Sequence, residues 1–233
     1  MLKFKNPIIL ALDVDTEKEA MSLAEDLGPI AGALKVGPRL TNRFGPALVK
    51  RLSEIAPVFL DHKYYDIPST MEGAVRSAFD MGATLTTVHA SSGTVALSRL
   101  ALVEKELQKI RPFRILSVTV LTSFKKEDQP PFYSVPIEKQ VNELVRLSRQ
   151  SGIQGFVCSP HEIRNVRSEA SDALIITPGV RAQAVPDDDQ TRVMGAQEAI
   201  RAGADYLVVG RPIFQAKDPL FALQTFVDDV TLG

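Results

Sequence analysis

Eight short apolar or β-branched runs, each followed by a stretch of helical pattern, constrain this chain more than any other feature of its sequence. The runs are Ile8–Val14, Ala33–Gly37, Val58–Asp61, Thr84–His89, Arg114–Val120, Gly155–Cys158, Ala173–Thr177 and Asp205–Val209. Each closes in polar or Gly-containing sequence, as buried strands do where they reach a loop. Between them stand helix starts: Thr16-x-x-Glu19 and Ser69-x-x-Glu72 both read as capping boxes, in which a hydroxyl and a carboxylate satisfy orphan amides of a first turn. Strands that alternate with helices pair in parallel through right-handed crossovers, and eight such units are the number that closes a sheet on itself. The predicted class is therefore α/β, a (β/α)8 TIM barrel, with residues 1–233 forming a single domain, and a length of 233 residues suits one barrel. An open doubly wound sheet is the alternative. A dinucleotide fold would place a Gly-rich turn after its first strand, where this chain has Asp13-Val14-Asp15-Thr16.

Composition narrows the partners. With 27 Lys and Arg against 28 Asp and Glu, the net charge is −1, and 45% of residues are hydrophobic. That excludes a disordered tail and a disulfide miniprotein, and it offers no broad basic face for nucleic acid or an anionic membrane. The single cysteine, Cys158, makes no internal disulfide, which fits a reducing compartment. Lys3 and Lys5 ahead of the apolar stretch Pro7 to Leu12 imitate a targeting signal, but Asp13 and Asp15 end the stretch far short of a membrane span. A buried first strand and a cytoplasmic location are expected.

Strand alternation then sorts the charges. Ile9, Ala11 and Asp13 share a face, as do Ala33, Lys35 and Gly37, and Phe59, Asp61 and Lys63. The opposite faces carry Leu10, Leu12, Leu34, Val36, Val58 and Leu60. In a barrel the apolar side meets the helices, so the charges at the carboxyl ends point into the mouth, where barrel active sites are built. Asp61-x-Lys63-x-x-Asp66 is the densest group. Flanking carboxylates favour an ammonium at Lys63, a general acid rather than a Schiff-base nucleophile. For Asp66, Ser69 and Thr70, plain capping of a helix start accounts for the residues equally well.

Near the end of the chain, Pro178-Gly179-Val180-Arg181 follows the seventh strand and Gly210-Arg211-Pro212 the eighth, the region where barrels bind phosphate. Glycine permits close backbone approach, Pro212 suits a first helical turn, and Arg211 supplies a fork of donors. Asp187 to Asp189 and Gln190 read as a polar loop, with Arg181 and Gln190 placed to close over an anion. The connection from Ser123 to Pro136, with Lys125-Lys126-Glu127-Asp128 and Pro130-Pro131, reads equally as a solvated excursion or a lid. His62, His89 and His161 show no metal-ligand spacing; His89 reads as a hydrogen-bonded lining residue, Cys158 as a small buried one, and Tyr64 and Tyr65 as cover for the turn after the third strand.

Asp61-x-Lys63-x-x-Asp66-Ile67-Pro68-x-Thr70, with Asp13 and Lys35 on the first two strands, resembles the orotidine 5′-monophosphate decarboxylase family. The likeness extends through Leu121-Thr122-Ser123, Pro178-Gly179-Val180-Arg181, Gln190 and Gly210-Arg211, nearly the whole chain. It implies a homodimeric barrel that makes UMP from orotidine monophosphate without cofactor or metal. By position, Asp13 and Lys35 would hold the ribose, Lys35 would join a charge row with Asp61, Lys63 and Asp66, and Thr122 would meet the pyrimidine. Arg181, Gln190, Gly210 and Arg211 would hold the phosphate, while Asp66 and Thr70 would reach the neighbouring subunit's site. His62 and Tyr65 depart from the Leu and His of many relatives.

Two other readings compete. A sugar-phosphate decarboxylase or aldolase of the same superfamily resembles this chain in its Asp-x-Lys-x-x-Asp strand, but works through Mg²⁺ held by an acid ahead of that Asp, where Pro57-Val58-Phe59-Leu60 stands here. A catalytically silent nucleotide-binding barrel is the other, and the intact charge row speaks against it.

Overall fold

The structure, a computed structural model, describes residues 3–124, 133–180 and 194–231. All eight expected strands form: β1 (Ile8–Ala11), β2 (Ala33–Val36), β3 (Val58–Tyr64), β4 (Ala83–His89), β5 (Arg114–Val118), β6 (Gly155–Val157), β7 (Leu174–Pro178) and β8 (Tyr206–Val209). Every neighbouring pair is parallel, and β1 pairs with β8 through Ile9 and Val208, so the sheet is a closed barrel and not an open one. Helices alternate with the strands: α1 (Glu17–Leu27), α2 (Pro38–Ile55), α3 (Pro68–Asp80), α4 (Gly93–Leu107), α5 (Ile137–Gln150), α6 (Ile163–Glu169), α7 (Ala196–Ala202), α8 (Arg211–Phe214) and α9 (Pro219–Thr231). α2 is broken at Gly45, whose φ of 66° a residue with a side chain rarely adopts, and Pro46 follows the break. Among the described residues no helix is long and apolar enough to cross a membrane.

Alternation assigns the layers as expected. Ile9, Ala11, Ala33, Phe59, Leu85, Leu116, Val118, Val157, Ile176, Tyr206 and Val208 fill the barrel interior. Leu10, Leu12, Leu34, Val36, Val58 and Leu60 are buried outside it in a second cluster, against the helices. Strands apolar on both faces belong to a sheet covered on both sides, which is why their runs read as nearly continuous.

The two helix starts behave differently. Thr16 Oγ1 accepts the Glu19 amide at 3.2 Å and caps α1, which buries Ala20, Met21, Ala24 and Leu27. Thr16→Ala is expected to cost about 1 kcal/mol and to lower Tm by about 2–4 °C in a thermal melt; an unchanged Tm would show that the cap contributes nothing. The box expected at Ser69 and Glu72 does not form. α3 begins at Pro68, so Ser69 already lies inside the first turn, and Glu72 pairs with Arg99 on α4 instead. Proline's fixed φ and missing N–H suit that first helical position, and helix entry therefore falls ahead of the hydroxyl.

Candidate active site

At the carboxyl end of the barrel lies a cavity of about 590 Å³. Its floor is apolar, made by Ala11, Phe59, Val118, Val157 and Val208, and its rim carries Asp13, Lys35, Arg39, Asp61, Lys63, Thr122 and Arg211. Ionised groups thus stand directly over a dry core.

Adjacent strands bring these groups together. Ala11 on β1 is in register with Lys35 on β2, and Lys35 with Phe59 on β3. Lys35 Nζ donates to Asp13 Oδ1 at 2.9 Å; the lysine is nearly buried, while half of the Asp13 side chain is exposed. Lys63 Nζ donates to Asp61 Oδ2 at 2.8 Å, and Asp61 Oδ1 accepts the Thr87 hydroxyl at 2.8 Å. Burial pushes the Asp61 carboxyl up. The charges of Lys63 and Lys35, with hydrogen bonds from Lys63 and Thr87, outweigh burial and hold it below the ordinary carboxylate range.

Lys63 reaches the mouth by an irregular route. β3 pairs with β4 at Leu60 and Thr86 and again at Tyr64 and Val88, so β3 spends four residues where β4 spends two. Within this bulge Lys63 has φ 49°, the one non-glycine residue with positive φ among those described. Such a backbone costs on the order of 1–3 kcal/mol and persists only where its surroundings hold it. Regular alternation predicts the correct face for Lys63 but not this backbone.

The remaining expectations divide. Gly210 and Arg211 both line the cavity, and a Cβ on Gly210 would stand 3.3 Å from that of Ala11 and 3.4 Å from the Phe214 ring, so glycine keeps this edge open. Asp66 and Thr70 are exposed at the start of α3 and do not line the cavity of their own chain; Asp66 Oδ1 accepts the Ile67 amide at 2.6 Å. Arg181, Gln190, Asp187 to Asp189 and the middle of the Ser123–Pro136 connection lie outside the described residues. Cys158 is buried as expected. His89 is not among the lining residues: its ring packs on Tyr65, just past the end of β3, with centroids 5.6 Å apart. Burial, reinforced by Lys63 and opposed by Asp61, pushes the His89 pKa down. His62 turns away from the cavity, with Nε2 2.8 Å from Thr41 Oγ1 and Nδ1 3.0 Å from the Tyr64 hydroxyl. Burial raises the Tyr64 phenol to about 12.

Sequence reasoning overlooked Thr87, Arg39, Phe214 and Gln215. Thr87 had a legible signal, as a polar residue sharing the inward parity of Leu85 near the end of its strand. Arg39 follows the end of β2 and donates to the Asp13 carbonyl at 2.9 Å. Among the described residues no group of three or more His, Cys, Asp or Glu side chains is placed to hold a metal ion.

A closed (β/α)8 barrel with paired ions over its carboxyl end defines a barrel enzyme. Residues 6–226 match the model of the orotidine 5′-phosphate decarboxylase / HUMPS family. The chain is 42% identical to the orotidine 5′-phosphate decarboxylase of Trichlorobacter lovleyi over 233 residues, covering 98% of this chain and 97% of that protein. It is 40% identical to the Shewanella sediminis protein of the same name over 225 residues, covering 93% of this chain and 94% of that one. The crystal structure of orotidine 5′-phosphate decarboxylase from Lactobacillus acidophilus superposes with a TM-score of 0.82 at 29% identity, over 97% of this chain and 100% of that one. The chain belongs to the orotidine 5′-phosphate decarboxylase / HUMPS family and is an enzyme of its decarboxylase branch, a carboxy-lyase.

Proposed function

We propose that this chain, working in the cytoplasm as one barrel domain per subunit of a homodimer, converts orotidine 5′-monophosphate to UMP through a C6 carbanion protonated by Lys63, with no cofactor and no metal. The observation that carries the reading is the Lys63–Asp61 pair, 2.8 Å apart above an apolar floor. When CO2 leaves, the electron pair of the broken bond stays on C6 in the plane of the pyrimidine, where the ring does not delocalise it well. A preorganised ammonium stabilises that charge most strongly in a site with little water. It then gives its proton to the C6 carbanion left by that cleavage, completing UMP, and Lys63 regains a proton from solvent.

Each remaining group has a part. Asp61 orients Lys63 and lies beside the departing carboxylate. Asp13 and Lys35 hold the ribose hydroxyls, Thr122 meets the pyrimidine, and Arg211 with Gly210, Arg181 and Gln190 holds the phosphate. Asp66 and Thr70 serve the site of the second subunit, a role supported by their exposure beside the exposed Tyr65 and Ile67. The Mg²⁺-dependent alternative requires an acid next to Asp61; Leu60 is there, fully buried against the helices.

An ultraviolet assay with orotidine monophosphate tests this reading. UMP should form at the same rate with and without a chelator. No reaction would remove the proposed function, and a rate abolished by chelation and restored by Mg²⁺ would transfer the chain to the metal-dependent chemistry.

A further inference from the structure

We propose that Thr87 is a positioning residue of the decarboxylation: its single hydroxyl clamps both ends of the Asp61–Lys63 pair and so aims the Lys63 ammonium. This rests on the reading of Lys63 as the proton donor. Thr87 Oγ1 accepts the Lys63 amide at 2.8 Å and donates its own proton to Asp61 Oδ1 at 2.8 Å. The hydroxyl acts as acceptor for one residue and gives its single donor hydrogen to the other. Between the pairs Leu60/Thr86 and Tyr64/Val88 the β3–β4 ladder is interrupted, and the Lys63 amide finds a side-chain acceptor on β4 in place of a ladder carbonyl. Thr87 is itself fully buried. Water therefore has no ready access to replace its hydroxyl if it is removed.

Three consequences follow from one atom. The Thr87 hydroxyl helps hold Lys63 at φ 49°, a conformation uncommon for a residue with a side chain. It fixes the rotation of the Asp61 carboxylate, leaving Oδ2 turned to Lys63 Nζ. It also helps keep Asp61 ionised in company with Lys63 on β3 and Lys35 on β2, while His89, on the same strand as Thr87, lies within range of both charges of the pair. Thr86, the neighbouring residue, faces outward and donates to the Leu60 carbonyl at 3.1 Å, so the two threonines serve different faces of the strand.

Thr87→Val keeps the shape and removes the hydroxyl; Thr87→Ser keeps the hydroxyl and removes the methyl. In Thr87→Val, kcat for orotidine monophosphate should fall about 10- to 100-fold, as expected when a hydrogen bond to a charged group is lost in the transition state. Kd for UMP should change little, Tm should fall by several degrees because the Lys63 amide and Asp61 Oδ1 lose a buried partner, and the acid limb of the kcat/KM profile should move to higher pH because Asp61 loses a donor. Thr87→Ser should recover most of kcat. Thr87→Ala carries the same comparison if valine disturbs the fold, and failure of both variants to fold would make Thr87 a purely structural group and overturn the proposal. Wild-type kcat in Thr87→Val, or a serine variant as slow as the valine one, would also overturn it. A wild-type enzyme inert toward orotidine monophosphate would instead remove the function on which the proposal rests.

Discussion

Lys63→Ala should abolish UMP formation, with kcat lower by at least about 10⁴-fold, because the substitution removes both the proton donor and the charge that stabilises the C6 carbanion. UMP, which has no carboxylate at C6, should still bind. Its proposed anchors, the Asp13–Lys35 pair and Arg211, are elsewhere on the rim. Asp61 keeps Lys35 and the Thr87 hydroxyl as partners after the substitution, so the site does not retain an isolated buried charge. Single-turnover kinetics together with UMP titration separates the two effects. Near-normal turnover in Lys63→Ala would discard Lys63 as the acid, and loss of UMP binding in step with turnover would make it a binding group.

The second large effect is expected at Arg211. Among the slowest uncatalysed reactions, enzymes supply ~20 kcal/mol or more, beyond what one proton donor provides. Binding energy from the phosphate, which does not react, can be used to desolvate the site and hold it closed. Arg211→Ala should therefore lower kcat/KM by about 10²–10³-fold, the scale of a lost charge-assisted grip on phosphate. Orotidine, which lacks the phosphate, should be handled equally poorly by wild type and variant. If Arg211→Ala left the substrate requirement unchanged, the phosphate would be bound elsewhere on the rim.

How much of this was legible in the sequence depends on which physical rule governed each residue. Period-two alternation is a local property of strand backbone, so it placed Asp13, Lys35 and Asp61 on the inward face and Leu10, Leu34 and Leu60 on the outer one before any coordinates. Strand ends were less legible: β1 stops at Ala11 and β3 runs on to Tyr64, because ladder pairing with neighbours, and not apolar character, decides where a strand ends. The bulge that turns Lys63 to positive φ is a property of the β3–β4 pair, and one strand's sequence does not contain it. Thr87 was overlooked for the same reason. Its parity marks it as an inward polar residue, but its significance lies in two partners 24 and 26 positions away, which its own strand does not name. The Ser69 box failed by competition, since Pro68 takes the first helical position. The motif signal of Asp61-x-Lys63-x-x-Asp66 was strong, but only part of it meets in one chain: Asp61 and Lys63 enter the cavity while Asp66 remains exposed at the base of α3.

The most direct measurement of the central claim is a crystal structure of the enzyme with UMP bound. Lys63 Nζ should lie within about 3–3.5 Å of C6 in the plane of the base, as in-line proton delivery requires, with Asp61 still paired to it and the phosphate against Arg211. A Lys63 side chain turned away from C6, with another group or a solvent channel at that position, would contradict the account.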